Sequence, residues 1–181
     1  SDTLATLRSL AKRERNAGFE IRSDSAFEAV IDACAAPRES ESGTWITAEM
    51  RAAYLALHRL GIAHSIETWQ AGQLVGGLYG VQLGAVFFGE SMFTRVTDAS
   101  KCCLAALVAR LRLGGFRLLD TQFLTSHLAG FGTVEIPAKD YRARLSAALS
   151  GTSGDFFAGD DGGLGEGPSG KRIVQLLSQT S

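Results

Sequence analysis

An acid and an amide stand two residues apart in the run "LLDTQF", at Asp120 and Gln122. Strand alternation puts both on one face, with Leu119, Thr121 and Phe123 on the other. From the end of a buried strand, such a pair can take a proton from an attacking group and orient an acyl carbonyl. The same pair can equally close a sheet edge or cap a helix by hydrogen bonding. A second acid, Glu90, follows the apolar "AVFFG" at what reads as a strand end, either solvated there or held in a pocket. Trp45, in "GTWIT" after a polar loop, suits stacking on a base as well as it suits anchoring the next helix. His58, His64 and His127 lack metal-ligand spacing, and Cys102 and Cys103 lie in a helical stretch where they pack.

The elements that must hold these residues follow from periodicity. Leu4, Leu7 and Leu10 recur at helical spacing, so residues 3–16 form a helix, and "FEIR" is a short strand. Ser25 and Glu28 have the spacing of a capping box opening "AFEAVIDACA", which Pro37 ends. A helix over about residues 48–60 precedes Gly61. "HSIETW" alternates, "QAGQ" turns, and "LVGGLYGVQLGAVFFG" reads as a hairpin whose glycines mark bulges or close backbone approach. Asp98 is placed to N-cap "ASKCCLAALVARLRL", which Gly114-Gly115 stops. "FRLLDTQF" is a strand, "SHLAGFG" a short helix, and Pro137 starts the last helix. From Ser150 to Lys171 the chain is Gly- and Asp-rich and reads as a disordered tail, whose terminal "RIVQLLSQ" has the pattern of a short docking helix.

The 181 residues, 45% hydrophobic and 20% charged, suit a globular domain able to bury a core. A net charge of −1 supplies no global field for nucleic acid or an anionic membrane, so a polyanion would have to meet a local patch. Arg8, Lys12, Arg13, Arg15 and Arg22 make one candidate patch, which also reads as an ordinary solvated helix face. Three cysteines without a C-x-x-C argue against a disulfide framework or a zinc site and suit a reducing compartment. No apolar run approaches the ~18 residues of a spanning helix, and the early arginines break any secretory h-region. The expectation is a cytoplasmic protein with no membrane or metal partner.

Helices, antiparallel strands, a long helix, a strand and more helices indicate a mixed α/β (α+β) domain, a twisted mixed sheet flanked by helices. Its latter order resembles the core of the GNAT acyltransferases. Those enzymes seat the coenzyme A pyrophosphate on a Gly-rich turn leading into the long helix. Here "FTRVTDAS" has no glycine and carries Asp98, which would repel phosphate, so acyl-CoA is a poor fit as donor.

Taken in order, "GTWIT", "HSIETW", "LVGGLYGV", "FFGESMF", "ASK", "LLDTQFL" and "EIPAKDY" resemble the leucyl/phenylalanyl-tRNA–protein transferases from about Arg22 to Leu149. The resemblance implies a GNAT-like enzyme that moves Leu or Phe from aminoacyl-tRNA to the N-terminal Arg or Lys of acceptor proteins, marking them for degradation. It implies no cofactor, because the aminoacyl ester stores the free energy of transfer. By the same resemblance Asp120 accepts or relays the amine proton, Gln122 holds the reacting centre, and Glu90 places the aminoacyl group or the basic acceptor. Trp45 stacks on the terminal adenine of the tRNA. Leu78, Met92, Leu107 and Leu119 line the side-chain pocket, with Thr125 nearby. Residues 1–22 then form a basic helix and strand leading from the small N-terminal domain that family members carry, 23–149 the catalytic domain, and 150–181 the tail. An acyl-CoA-dependent N-acyltransferase and a tRNA-binding domain impaired in catalysis are the alternatives.

Overall fold

Two small residues set how the long helix meets the sheet. In the computed structural model, which describes residues 2–36, 46–121, 136–158 and 160, Gly76 lies so close to that helix that a Cβ there would be 2.7 Å from the Ala99 Cβ. The elements in chain order are α1 (Asp2–Ala17), β1 (Phe19–Ser23), α2 (Phe27–Ala35), α3 (Ala48–Arg59), β2 (Ala63–Gln70), β3 (Gln73–Leu83), β4 (Val86–Thr94), α4 (Ala99–Leu113), β5 (Leu118–Thr121) and α5 (Ala138–Ser150).

The strands form one sheet in the order β1-β2-β3-β4-β5. β1 to β4 are antiparallel neighbours, and β5 joins β4 in parallel. A parallel partner requires a crossover, which α4 supplies. The β2–β3 turn is the expected one: Ala71 and Gly72 both have positive φ, 50° and 74°, the twist that suits a two-residue hairpin. The mixed α/β fold is therefore the one expected, with the strand, strand, helix, strand, helix order on which the GNAT-like reading rested.

Adjacent residues of β3 show the layering. Leu78 enters a core with Leu10 of α1, Phe87 and the buried face of α4. Tyr79 enters another with Phe27, Val30 and Ile31 of α2 and the partly buried Tyr54 and Leu55 of α3. A third cluster packs Ala148 and Leu145 of α5 against Val86, Phe88 and Leu118. So α1 and α4 cover one face, and α2, α3 and α5 the other. Cys102 and Cys103 pack in the α4 face, as expected.

Several local expectations are corrected. Ser25 does not cap α2, whose N-cap is Ala26 without a side-chain bond. Its hydroxyl donates to Glu67 instead, and Glu28 pairs outward with Arg51 at 2.6 Å. Asp98 stands at the N-cap of α4 but bonds no backbone N–H; its carboxylate meets Lys101 at 3.2 Å and Arg13 at 3.7 Å. Glu90 is not at a strand end, because β4 continues to Thr94. β1 spans Phe19–Ser23, and its Phe19 and Ile21 share the core of α4.

The tail is corrected over the part described. Residues 151–158 and 160 pack against the C-terminal half of α4 and the β3–β4 turn. The Asp155 N–H donates to Gly114 O at 2.9 Å and the Gly154 N–H to Gly84 O at 3.0 Å. Phe156 is buried and stacks on His64 with centroids 4.0 Å apart. Beneath it the buried Arg110 holds Asp160 through two bonds, at 2.8 and 3.1 Å, and donates to Phe156 O at 2.8 Å. Composition concealed this because two phenylalanines and one aspartate suffice to fix a Gly-rich segment when a buried guanidinium awaits them. The "SHLAGFG" helix and the chain beyond 160 lie outside the described residues.

Candidate active site

Asp120 lies on β5 level with Phe88 of β4, and the parallel ladder runs from Val86/Leu118 to Gly89/Thr121. Glu90 is the next residue along β4, in an unusual setting. Tyr79 pairs with Ser91 and Gly80 with Gly89, so Glu90 opposes nothing on β3: it is the extra residue of a β-bulge. The bulge needs Gly80, since a Cβ there would sit 2.2 Å from the Phe88 carbonyl oxygen.

A different tyrosine holds each acid. The Tyr54 hydroxyl, from α3, donates to Glu90 Oε2 at 3.2 Å. The Tyr141 hydroxyl, from α5, donates to Asp120 Oδ2 at 2.7 Å. Burial raises the pKa of Glu90; the Tyr54 bond offsets part of that rise, and the charge of Asp120 adds a smaller push upward. Burial likewise pushes Tyr54 up to about 12, with Glu90 contributing. Tyr141 is raised chiefly by its bond to Asp120. Among the described residues no Lys or Arg pairs with Glu90 or Asp120. The other partly buried acids differ: Asp98 has Lys101, Asp160 has Arg110, and Asp24 meets His64 at 2.7 Å.

The apolar residues of the expected pocket also assemble. Leu78 and Leu107 are fully buried in one cluster, with Met92 and Leu119 packed against it. That cluster lies on the α4 face, whereas the acids lie on the face of α3 and α5. Charge and apolar surface thus meet across the sheet rather than on one wall. The common line is where the described β4–β5 ladder stops at Gly89 and Thr121, while β4 runs on. A nearby cavity of about 200 Å³, walled by Val108, Leu111, Phe116 and Leu118, shares only Leu119 with the expected set. Gln122, Trp45, Thr125 and His127 lie outside the described residues.

Sequence reasoning missed both tyrosines. Tyr54 gave no signal beyond being an aromatic in a helix. Tyr141 was within reach, because it ends "EIPAKDY". Also missed was Glu67 of "HSIETW", a fully buried carboxylate. It accepts from the Ser25 hydroxyl, the Ala26 N–H at 3.0 Å, the Ser65 hydroxyl at 2.8 Å and the Trp69 indole at 3.2 Å. Every partner is internal, which makes it a tie between β2 and the start of α2. Among the described residues no group of His, Cys, Asp and Glu could hold a metal ion, and no helix is long and apolar enough to cross a membrane.

A leucyl/phenylalanyl-tRNA–protein transferase from Ruegeria pomeroyi is 56% identical over 174 residues, 96% of this chain and 78% of that protein. One from Caulobacter vibrioides is 53% identical over 172 residues, 95% of this chain and 76% of its own length. Among solved structures, an aminoglycoside acetyltransferase from an uncultured soil metagenomic sample is similar at a TM-score of 0.46 and 14% identity, covering 78% of this chain and 93% of that one. The model of one family, described as leucyl/phenylalanyl-tRNA protein transferase, matches residues 1–146, a span that includes Glu90, Asp120 and Tyr141, and to that family this chain belongs.

Proposed function

We propose that this chain transfers leucyl or phenylalanyl groups from aminoacyl-tRNA to the α-amine of an N-terminal Arg or Lys on acceptor proteins, and that the product is thereby marked for degradation. Charged tRNA as donor places the reaction in the cytoplasm. In the transfer the amine nitrogen attacks the ester carbonyl. A C–N bond forms, the ester C–O bond breaks, and the ribose hydroxyl of the terminal adenosine leaves carrying a proton. The ester supplies the free energy, so the protein contributes position and proton handling.

One observation carries this reading: in a member of this family, two carboxylates share one face without a cationic partner among the described residues. Uncompensated acids in a partly buried place attract a cation, and an N-terminal Arg or Lys brings two positive charges. Asp120 would take or relay the amine proton, with Gln122 beside the reacting centre, and Glu90 would receive the basic acceptor. Leu78, Met92, Leu107 and Leu119 would take the Leu or Phe side chain from the other side of the sheet. Such a pocket separates side chains differing by a methylene by only ~1–3 kcal/mol, while a charged aminoacyl group would bury an unpaired charge. Trp45 would stack on the terminal adenine, with Thr125 close to the aminoacyl group. The acyl-CoA reading finds no support at the start of α4, where the Asp98 carboxylate stands between Arg13 and Lys101.

The test is transfer of labelled Leu from Leu-tRNA to an Arg-starting protein. Label should enter the protein, and Asp120→Ala should abolish it while leaving the melting temperature nearly unchanged. Undiminished transfer by Asp120→Ala refutes the assigned role. Tight tRNA binding with no peptide bond formed, or acetyl transfer from acetyl-CoA, refutes the proposed reaction itself.

A further inference from the structure

Asp120 is gripped from behind by a helix that comes 18 residues after it in sequence. α5 begins after Pro137, and Tyr141 stands in its first turn. The far end of α5 is fixed to the strand beside Asp120: Ala148 and Leu145 pack on Val86, Phe88 and Leu118, and the Ala85 N–H donates to Ala148 O at 3.2 Å. The phenol therefore reaches the acid from a rigid base. Its O–H donates to Oδ2, while Oδ1 has no hydrogen-bond partner among the described residues. A carboxylate rotates about a broad, two-fold torsion, and a single fixed donor on one oxygen selects one orientation. The bond to Asp120 also raises the proton affinity of Tyr141, so the phenol remains a donor through neutral pH.

Resting on the transfer reaction above, we propose that Tyr141 is a positioning residue for the reaction, anchoring Oδ2 of Asp120 so that Oδ1 stays turned to the incoming α-amine. Tyr141 touches no reacting atom; it acts through the aspartate. Misplacing a catalytic group by an ångström costs up to ~100-fold in rate, and freeing one torsion is a milder fault.

The experiment compares this chain with Tyr141→Phe and Tyr141→Leu in labelled-Leu transfer, with kcat and the KM for the acceptor measured separately beside the melting temperature. We expect both variants to lose kcat by about tenfold, with KM changed less than about twofold and only the Leu variant losing thermal stability. In parallel, ¹³C-tyrosine NMR should show the Tyr141 phenol titrating closer to its ordinary range once Asp120→Asn removes the charged acceptor. Full kcat in Tyr141→Phe overturns the proposal, as does a kcat loss that follows melting temperature across the two variants. A phenol titration indifferent to Asp120→Asn overturns it as well. If the unaltered chain transfers no label, the reaction has failed and the proposal falls with it, an outcome distinct from a normal parent beside an unimpaired Tyr141→Phe.

Discussion

Replacing Asp160 by Ala would leave a guanidinium in the core without its counter-ion. The Arg110 side chain is 1% exposed and that of Asp160 12%, and two bonds join them. Removing one partner of a buried pair costs about 3–5 kcal/mol, because the other charge stays desolvated. Here Arg110 would keep its bond to Phe156 O, and the rings of Phe156 and Phe157 lie 5.0 and 5.7 Å from the guanidinium carbon. Those contacts place the expected loss at the lower end, about 3 kcal/mol, which for a domain of this size lowers the melting temperature by roughly 6–12 °C. Arg110→Met should cost less, since Asp160 lies near enough to the surface to regain water. The double variant should be no worse than Arg110→Met alone, an interaction as large as the whole Asp160→Ala loss, about 3 kcal/mol. Urea denaturation of the four proteins measures this. Because the pair is buried, the loss should change little between low and high salt. A loss below about 1 kcal/mol for Asp160→Ala, or simple additivity in the double variant, would refute the view that this ion pair fastens the segment after α5 to α4.

Other expectations can be checked on the same protein. Glu67→Gln presents an amide N–H₂ to a site whose four neighbours all donate, so we expect a loss of about 2–4 kcal/mol in urea unfolding; a loss under about 0.5 kcal/mol would mean that the network is dispensable. Glu90→Gln tests the raised pKa. The fold favours the protonated form, so the contribution of Glu90 is present below the ordinary carboxylate range and is lost as pH rises through the raised pKa. The Gln variant should therefore melt higher than the parent at pH 7, by less than about 1 kcal/mol at this half-exposed site, with the gap closing near pH ~4. A Gln variant that melts lower at neutral pH contradicts the burial argument.

What the sequence disclosed was local. The Ala71-Gly72 turn, the Gly114-Gly115 stop of α4 and the start of α5 after Pro137 each depend on a few adjacent residues, and each is where periodicity and turn chemistry place it. The failures came from competition with distant groups. Ser25 has the spacing to cap α2, but Glu67 lies 42 positions away in sequence and takes its hydroxyl. Asp98 has the place to cap α4, but Arg13 and Lys101 draw its carboxylate outward. Phe156 and Asp160 look like punctuation in a Gly-rich tail until Arg110 and His64 are placed beneath them. Of the candidate site, Asp120 and Glu90 were singled out by residue type and by the resemblance, although Glu90 is not at the strand end expected for it. Their tyrosine partners were not, since a hydroxyl that supports an acid leaves no periodic trace.

The bulge at Glu90 explains why the site has two faces. In an unbroken strand Glu90 and Met92, two apart, would point the same way. Either the acid would then be driven into the apolar cluster of Leu78 and Leu107, or Met92 would be lost from it. Because Gly80 pairs with Gly89 and Tyr79 with Ser91, one residue of β4 is left over and the alternation slips. Glu90 turns to Tyr54 and towards Asp120, while Met92 turns to the α4 face. A register slip of one residue moves every later side chain to the opposite face, and here the slip falls between the acid and the methionine. The glycine that permits it is what the separation of a charged face from an apolar one along β4 depends on, since that separation is created by the single unpaired residue.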